Sequence, residues 1–202
     1  MSLFAQLEGL AQKMTPSTTR GRVYMVVPVS SSAGASVVSA QLAKFSAQSS
    51  GRPVWLFDLD LQDNIQAKRA PLNGHILSAE LGGRKFWDVE PAQSARMAMR
   101  RVEGLPVYIS QFQYKPGTIR GVQLKRDEAY WNNVRAVSAL TLVDVPHDFE
   151  AAQTLYPDMD GVILVVDAQQ TKRSAANEFA DMIEAAGGRV MGVVINRAPM
   201  AQ

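Results

Sequence analysis

Residues 22–43 read RVYMVVPVSSSAGASVVSAQLA, and residues 51–61 follow as GRPVWLFDLDL. The first stretch is an apolar strand, RVYMVVPV, that runs into a turn of small residues and then into a helix from about Ser36 to Ser49. In the second, Val54, Leu56 and Phe57 form a short buried strand that ends on two aspartates. Strand, helix and strand within about forty residues make a βαβ unit, whose strands should be parallel and whose crossover should be right-handed.

Further strands are expected at LPVYIS (105–110), ALTLVDVP (139–146), DGVILVVDA (160–168) and GRVMGVVIN (188–196). Helical segments lie between them, notably RSAANEFADMIEAAGG, which stops at Gly187 and Gly188 as a glycine-capped helix does. The expected fold class is therefore α/β, a doubly wound and mostly parallel sheet flanked by helices. Residues 62–104 are less periodic and suggest short helices and turns. Within them RMAMRRVEG reads as a helix with Arg96, Arg100 and Arg101 on a solvated face.

Residues 1–21 form a separate element. Phe4, Leu7, Leu10, Ala11 and Met14 recur at helical spacing, and TPSTTRGR then breaks the pattern with Pro16 and Gly21. This is a short amphipathic helix on a linker, packed on its own domain or docked on a partner. No second linker divides residues 22–202, which are expected to form a single domain.

With 202 residues, 47% of them hydrophobic and 20% charged, the chain lies well away from the compositions of disordered segments. Lys and Arg number 21 against 19 Asp and Glu, and a net charge of +2 is too small to drive nucleic-acid or anionic-lipid binding. Cysteine is absent, which excludes disulfides, thiolate metal sites and cysteine nucleophiles and fits a reducing compartment. The sequence MSLFAQLEGLAQKM has neither the basic segment nor the apolar core of a secretory signal, and no apolar run approaches the ~20 residues of a membrane span. The cytoplasm is the expected location.

In an open α/β sheet, ligands sit beyond the carboxyl ends of the strands, and the suggestive residues fall there. Ser32, Ala33, Gly34, Ala35 and Ser36 follow the first strand, Asp58 and Asp60 the second. Asp144, His147 and Asp148 follow LTLVD, and Asn196 and Arg197 the last strand. The first group has the spacing of G-x-x-x-x-G-K-[ST], in which backbone amides cradle phosphates, a lysine neutralises them and a hydroxyl ligates magnesium. Gly34 fills the second glycine position and Ser36 the hydroxyl position. Ala35 stands where the lysine belongs, and Pro28 is read at the first glycine, where it withdraws an amide and fixes φ. Asp58, Asp60 and Asp144 at neighbouring strand ends offer hard oxygen ligands suited to magnesium, with Ser36 completing a metal set of Ser36, Asp58 and Asp144. His147 beside aspartates raises the thought of a metal-dependent hydrolase, although a surface turn is its plainer role.

The segments SSSAGAS, VWLFDLDLQDN, LTLVDVPHD and DGVILVVDAQQTKRSAANEFADMIEAAGGRVMGVVINR occur in the order and spacing of the P-loop ATPases related to division-site and plasmid-partition proteins. Across residues 22–197 they most resemble the cytoplasmic domain of the bacterial tyrosine kinases of capsule and exopolysaccharide export. That resemblance implies ATP or ADP and magnesium as cofactors, with Asp58, Asp60 and Asp144 organising the metal and the attacking group and Asn196 near the base. It also implies a membrane-embedded export or copolymerase partner, at the inner face of the membrane, and a homo-oligomer.

Departures accompany the matches. The loop lysine is replaced by Ala35, and the second signature lysine of such kinases would fall at about Val29. The ring-forming arginine motif is not visible around Glu8, and the tyrosines Tyr24, Tyr108, Tyr114, Tyr130 and Tyr156 are scattered rather than gathered in a tail. The expectation is a catalytically impaired kinase-like protein acting as an accessory component of polysaccharide production, with nucleotide binding weak or absent. The alternative is a working magnesium-dependent ATPase or tyrosine kinase, with Lys172 or Arg173 supplying the missing cation. A partition-like adaptor on nucleic acid finds no support in the charge.

Overall fold

The structure, a computed structural model, describes residues 3–14 and 20–197. Most of the expected linker (15–19) and the side chain of Phe4 lie outside the described residues. Strand β1 (Arg22–Pro28), helix α2 (Ala35–Ser50) and strand β2 (Val54–Asp58) form the βαβ unit predicted from residues 22–61, preceded by helix α1 (Leu3–Met14). The chain continues through helix α3 (Ile65–Arg69) and strands β3 (Leu72–Ser78), β4 (Trp87–Glu90), β5 (Ala95–Val102), β6 (Val107–Tyr114) and β7 (Gly121–Leu124). Helix α4 (Glu128–Val137), strand β8 (Leu140–Asp144), a 3-10 helix (Glu150–Asp158), strand β9 (Gly161–Asp167), helix α5 (Arg173–Ala185) and strand β10 (Val190–Asn196) complete it.

The main sheet has the order β10-β9-β1-β8-β2-β6-β5-β3, and all strands from β10 to β6 pair in parallel. β1 lies between β8 and β9, so the chain leaves it toward one side for β2 and returns across it from β8 to β9. Its following turn is therefore a topological switch point, where side chains from several strand ends converge. β1, β2, β8 and β9 are buried almost throughout, which explains their near-continuous apolar sequences.

Two cores result. One face gathers Val26, Val38, Leu42, Leu56 and Leu142 beneath α2, and α1 adds Leu7, Ala11 and Met14 to it. The expected amphipathic helix thus packs on its own chain, against α2. The other face holds Phe57, Phe86, Trp87, Tyr130 and Trp131, with ring centroids 4.8–6.5 Å apart where they contact. Such aromatic pairs each add about 0.5–1.5 kcal/mol beyond the area they bury.

The region 62–104 corrects the sequence reading. RMAMRRVEG is not a helix; Arg96, Arg100 and Arg101 lie on β5, which pairs antiparallel with β6 and with β3. Met97 and Met99 face the core there, while Arg96 donates to Gln113 Oε1 at 2.8 Å and Arg100 to the Asn73 carbonyl at 3.2 Å. Met, Ala and Arg are good helix formers, and sheet partners on both sides override that preference. β6 also runs four residues beyond the expected 110, to Tyr114.

Candidate functional site at the strand ends

The small-residue turn after β1 leads directly into α2, as its sequence predicts. The Val29 amide still donates to the Val165 carbonyl at 2.9 Å, so β1 pairing persists past Pro28. Counting back from Gly34 along G-x-x-x-x-G puts Val29, not Pro28, at the first glycine, and moves the second signature position to Ser30. Ser30 Oγ lies 3.0 Å from Thr171 Oγ1 in the turn after β9. Ser32 (φ 60°) and Gly34 (φ 93°) take left-handed conformations that turn the chain into α2. Asn196, at the end of β10, donates from Nδ2 to the Ala33 carbonyl at 3.0 Å and pins the loop from its far side.

A cavity of about 260 Å³ lies over this turn, walled by Ser32–Val37, Pro146 and His147. Arg69, the last residue of α3, is the basic residue on that wall besides His147. Neither Lys172 nor Arg173 lines the cavity; both are exposed at the start of α5. Arg197 is engaged elsewhere, with its guanidinium 2.7 Å from Asp167 Oδ2. His147 Nδ1 sits 2.6 Å from Asp148 Oδ1 on an exposed turn, and His75 is exposed on β3. A larger cavity, about 490 Å³, opens beside the first, with Leu59, Phe112, Tyr114 and Phe149 as apolar walls and Asp60 and Arg120 as polar ones.

Asp58 and Asp144 come together because they are register partners on β2 and β8. Asp58 is buried, and its oxygens accept from the Asp60 amide (3.0 Å) and the Gln66 amide (2.8 Å). Burial pushes its carboxyl up to about 7; the two amide bonds pull the other way, and the Asp144 and Asp60 charges push with it. Asp144 accepts from Ser39 Oγ (3.1 Å) and Gln66 Nε2 (2.7 Å). Burial raises it to about 6, against hydrogen bonds from Gln66, Ser36 and Ser39. Asp60 stands apart, accepting from the Asp63 amide at the start of the turn into α3.

Magnesium needs about six oxygens around an open centre. The residues present do not fit it. Both oxygens of Asp58 and both of Asp144 already accept protein donors, and the Gln66 amide nitrogen, also 2.8 Å from the Ser36 carbonyl, stands among the oxygens. Among the described residues no three His, Asp or Glu side chains are grouped to hold a metal ion.

The structure thus brings Ser36, Asp58 and Asp144 together, sets the Ser32–Ser36 turn against Asn196, and leaves Asp60 and Arg197 with other partners. Gln66, Arg69, Asp167 and Thr171 were missed. α3 has only five residues, too few for a periodic signal, and a buried glutamine matches no short motif.

No family model matches the chain, and no curated protein matches it. Solved structures do. The VpsO kinase domain aligns over 98% of this chain and 95% of its own at 17% identity and a TM-score of 0.65. The fold is that of the P-loop ATPases. The BceF tyrosine kinase domain aligns over 97% of this chain and 78% of its own at 16% identity and a TM-score of 0.68. The septum-site protein MinD of Pyrococcus horikoshii, solved with Mg-ADP, aligns over 90% and 72% at 17% identity and a TM-score of 0.61. The fold is thus shared with kinase-type and MinD-type structures, and the turn after β1 stands at the strand-to-helix position of a phosphate loop.

Proposed function

We propose that this chain is a tyrosine-kinase-like P-loop protein without useful phosphoryl-transfer activity, acting by binding as an accessory component of exopolysaccharide or capsule production and export. The observation that carries it is the loop itself: Ala35 opens α2, buried, where a lysine would reach the phosphates. Removing one preorganised donor to developing charge costs roughly 10²–10³ in rate, and here both loop cations are replaced.

Anion affinity is a separate quantity. Free amides at the start of α2, sixteen residues long, attract phosphate without any lysine, and Arg69 adds a solvent-screened charge. Replacing Arg69 by Ala is expected to weaken ADP binding by only about 2- to 5-fold, the scale of an exposed ion pair.

The partner in this reading is a membrane-embedded export or copolymerase protein at the cytoplasmic face, engaged by the chain alone or as a homo-oligomer. Among the described residues no helix is long and apolar enough to cross a membrane. Calorimetric titration with ATP and ADP, with and without magnesium, tests the proposal together with an autophosphorylation assay. Weak, magnesium-independent binding and no phosphotyrosine are expected. Phosphate transfer from ATP by the pure protein would defeat it. A working ATPase or kinase is the second reading, favoured by Arg69 on the cavity wall, and it requires hydrolysis that Asp144→Asn abolishes.

A further inference from the structure

We infer that the Gln66 carboxamide is a built-in replacement for a divalent cation, bonding Ser36 and Asp144 while its own main chain bonds Asp58, so that the strand ends are held closed without metal. The inference rests on the reading of Ser36, Asp58 and Asp144 as the positions that would hold magnesium.

Gln66 is 3% exposed. Its carboxamide faces the Ser36 carbonyl at 2.8 Å and Asp144 Oδ2 at 2.7 Å; at about pH 8, where Asp144 is ionised, both only accept, so the NH2 end points at them. Those two acceptors use both amide protons. The main-chain amide of the same residue reaches Asp58 Oδ2 at 2.8 Å. One residue therefore joins the phosphate loop, β2 and β8, the three elements that a loop-bound cation would join.

The side chain is also fixed in place. Asn64, which precedes α3, donates from Nδ2 to the Phe112 carbonyl at 3.0 Å and accepts from the Phe112 amide at 2.6 Å. This pair ties the start of α3 to β6 and fixes the backbone from which Gln66 reaches the strand ends. A cation entering between Ser36 and Asp144 would have to displace a buried amide nitrogen and orphan both of its protons. The arrangement that metal would impose already exists in its absence, and magnesium should have nothing to organise.

The test compares the full chain with Gln66→Glu and Gln66→Leu at about pH 8, following thermal unfolding with and without millimolar magnesium or manganese. The unsubstituted protein should melt at the same temperature with and without either ion. Gln66→Glu sets a carboxylate against Asp144 and the Ser36 carbonyl, and should lower the melting temperature by roughly 5–10 °C in chelator. Magnesium or manganese should restore most of that loss, because the substitution turns a filled position into an oxygen-lined one. Gln66→Leu should lose stability that no metal restores. A metal-induced rise in the unsubstituted protein, or a Gln66→Glu variant as stable in chelator as its parent, would overturn the inference. Should Gln66→Glu not fold, manganese titration of the unsubstituted protein decides: no binding supports the inference and binding refutes it. None of these readouts involves nucleotide, so failure of the ATP titration and failure of this proposal are separate results.

Discussion

Raising the pH from about 5 to about 8 should lower the free energy of unfolding by several kilocalories per mole. In the unfolded chain Asp58 and Asp144 ionise near 3.8; in the folded protein burial holds the first near 7 and the second near 6. Between about pH 4 and pH 7 the native state therefore binds more protons than the unfolded one, and by linkage stability falls as pH rises through that window. Between pH 5 and 8 the rise at Asp58 alone contributes roughly 3 kcal/mol at about 1.4 kcal/mol per pH unit. The two carboxyls face each other, so their effects do not simply add. Other acids act oppositely. Asp160, despite its burial, is held below its ordinary value by Arg135 and the Val23 amide, and Asp127 by the Tyr130 amide and Arg84. Stability from these two is present above about pH 4 and lost on further acidification, which places the maximum near pH 4. Urea unfolding at about pH 5, 6.5 and 8 measures the slope, and Asp58→Asn should flatten it. A profile that is level or rises between pH 5 and 8 would show that the strand-end acids are already ionised in the native state.

The same burial explains why parts of the molecule were legible in its sequence and parts were not. β1, β2, β8 and β9 are covered on both faces, and apart from the buried Thr141 in β8 each reads as an apolar run with charged residues only where it emerges at the rim. Asp58 and Asp144 could be placed from that punctuation alone. The antiparallel extension gave no such signal. β3 is exposed for most of its length, and β4 and β7 have four residues each, shorter than a pattern can declare itself. β5 alternates Met97 and Met99 inward, but its arginines also fall at helical spacing, and only the presence of β3 and β6 on either side decides between the two. Within the site, residue types could be read and partners could not. Arg197 looks like a free cation at a strand end until Asp167, whose side chain is fully buried, is found beside it. Gln66 looks like an ordinary helix residue until the short α3 carries it under the loop.

Gly34→Ala should cost about 2–3 kcal/mol, and much of that cost should vanish when Asn196 is also replaced. Gly34 holds φ at 93°, a conformation in which a side chain is strained by about 1–2 kcal/mol whatever space surrounds it. An added Cβ would also run into Asn196 Nδ2, which donates to the neighbouring Ala33 carbonyl. Moving Asn196 aside sacrifices that hydrogen bond, worth about 1 kcal/mol, together with the one its Oδ1 accepts from the Arg197 amide. In Asn196→Ala the obstruction is gone, so the glycine substitution should then cost only its backbone strain. The double-mutant cycle should show a coupling of about 1 kcal/mol, read from urea midpoints at constant slope. Strict additivity would mean that the loop and the end of β10 are independent. Coupling of the expected sign would mean that the end of β10, through Asn196, holds the turn in the conformation that carries the chain from β1 into α2.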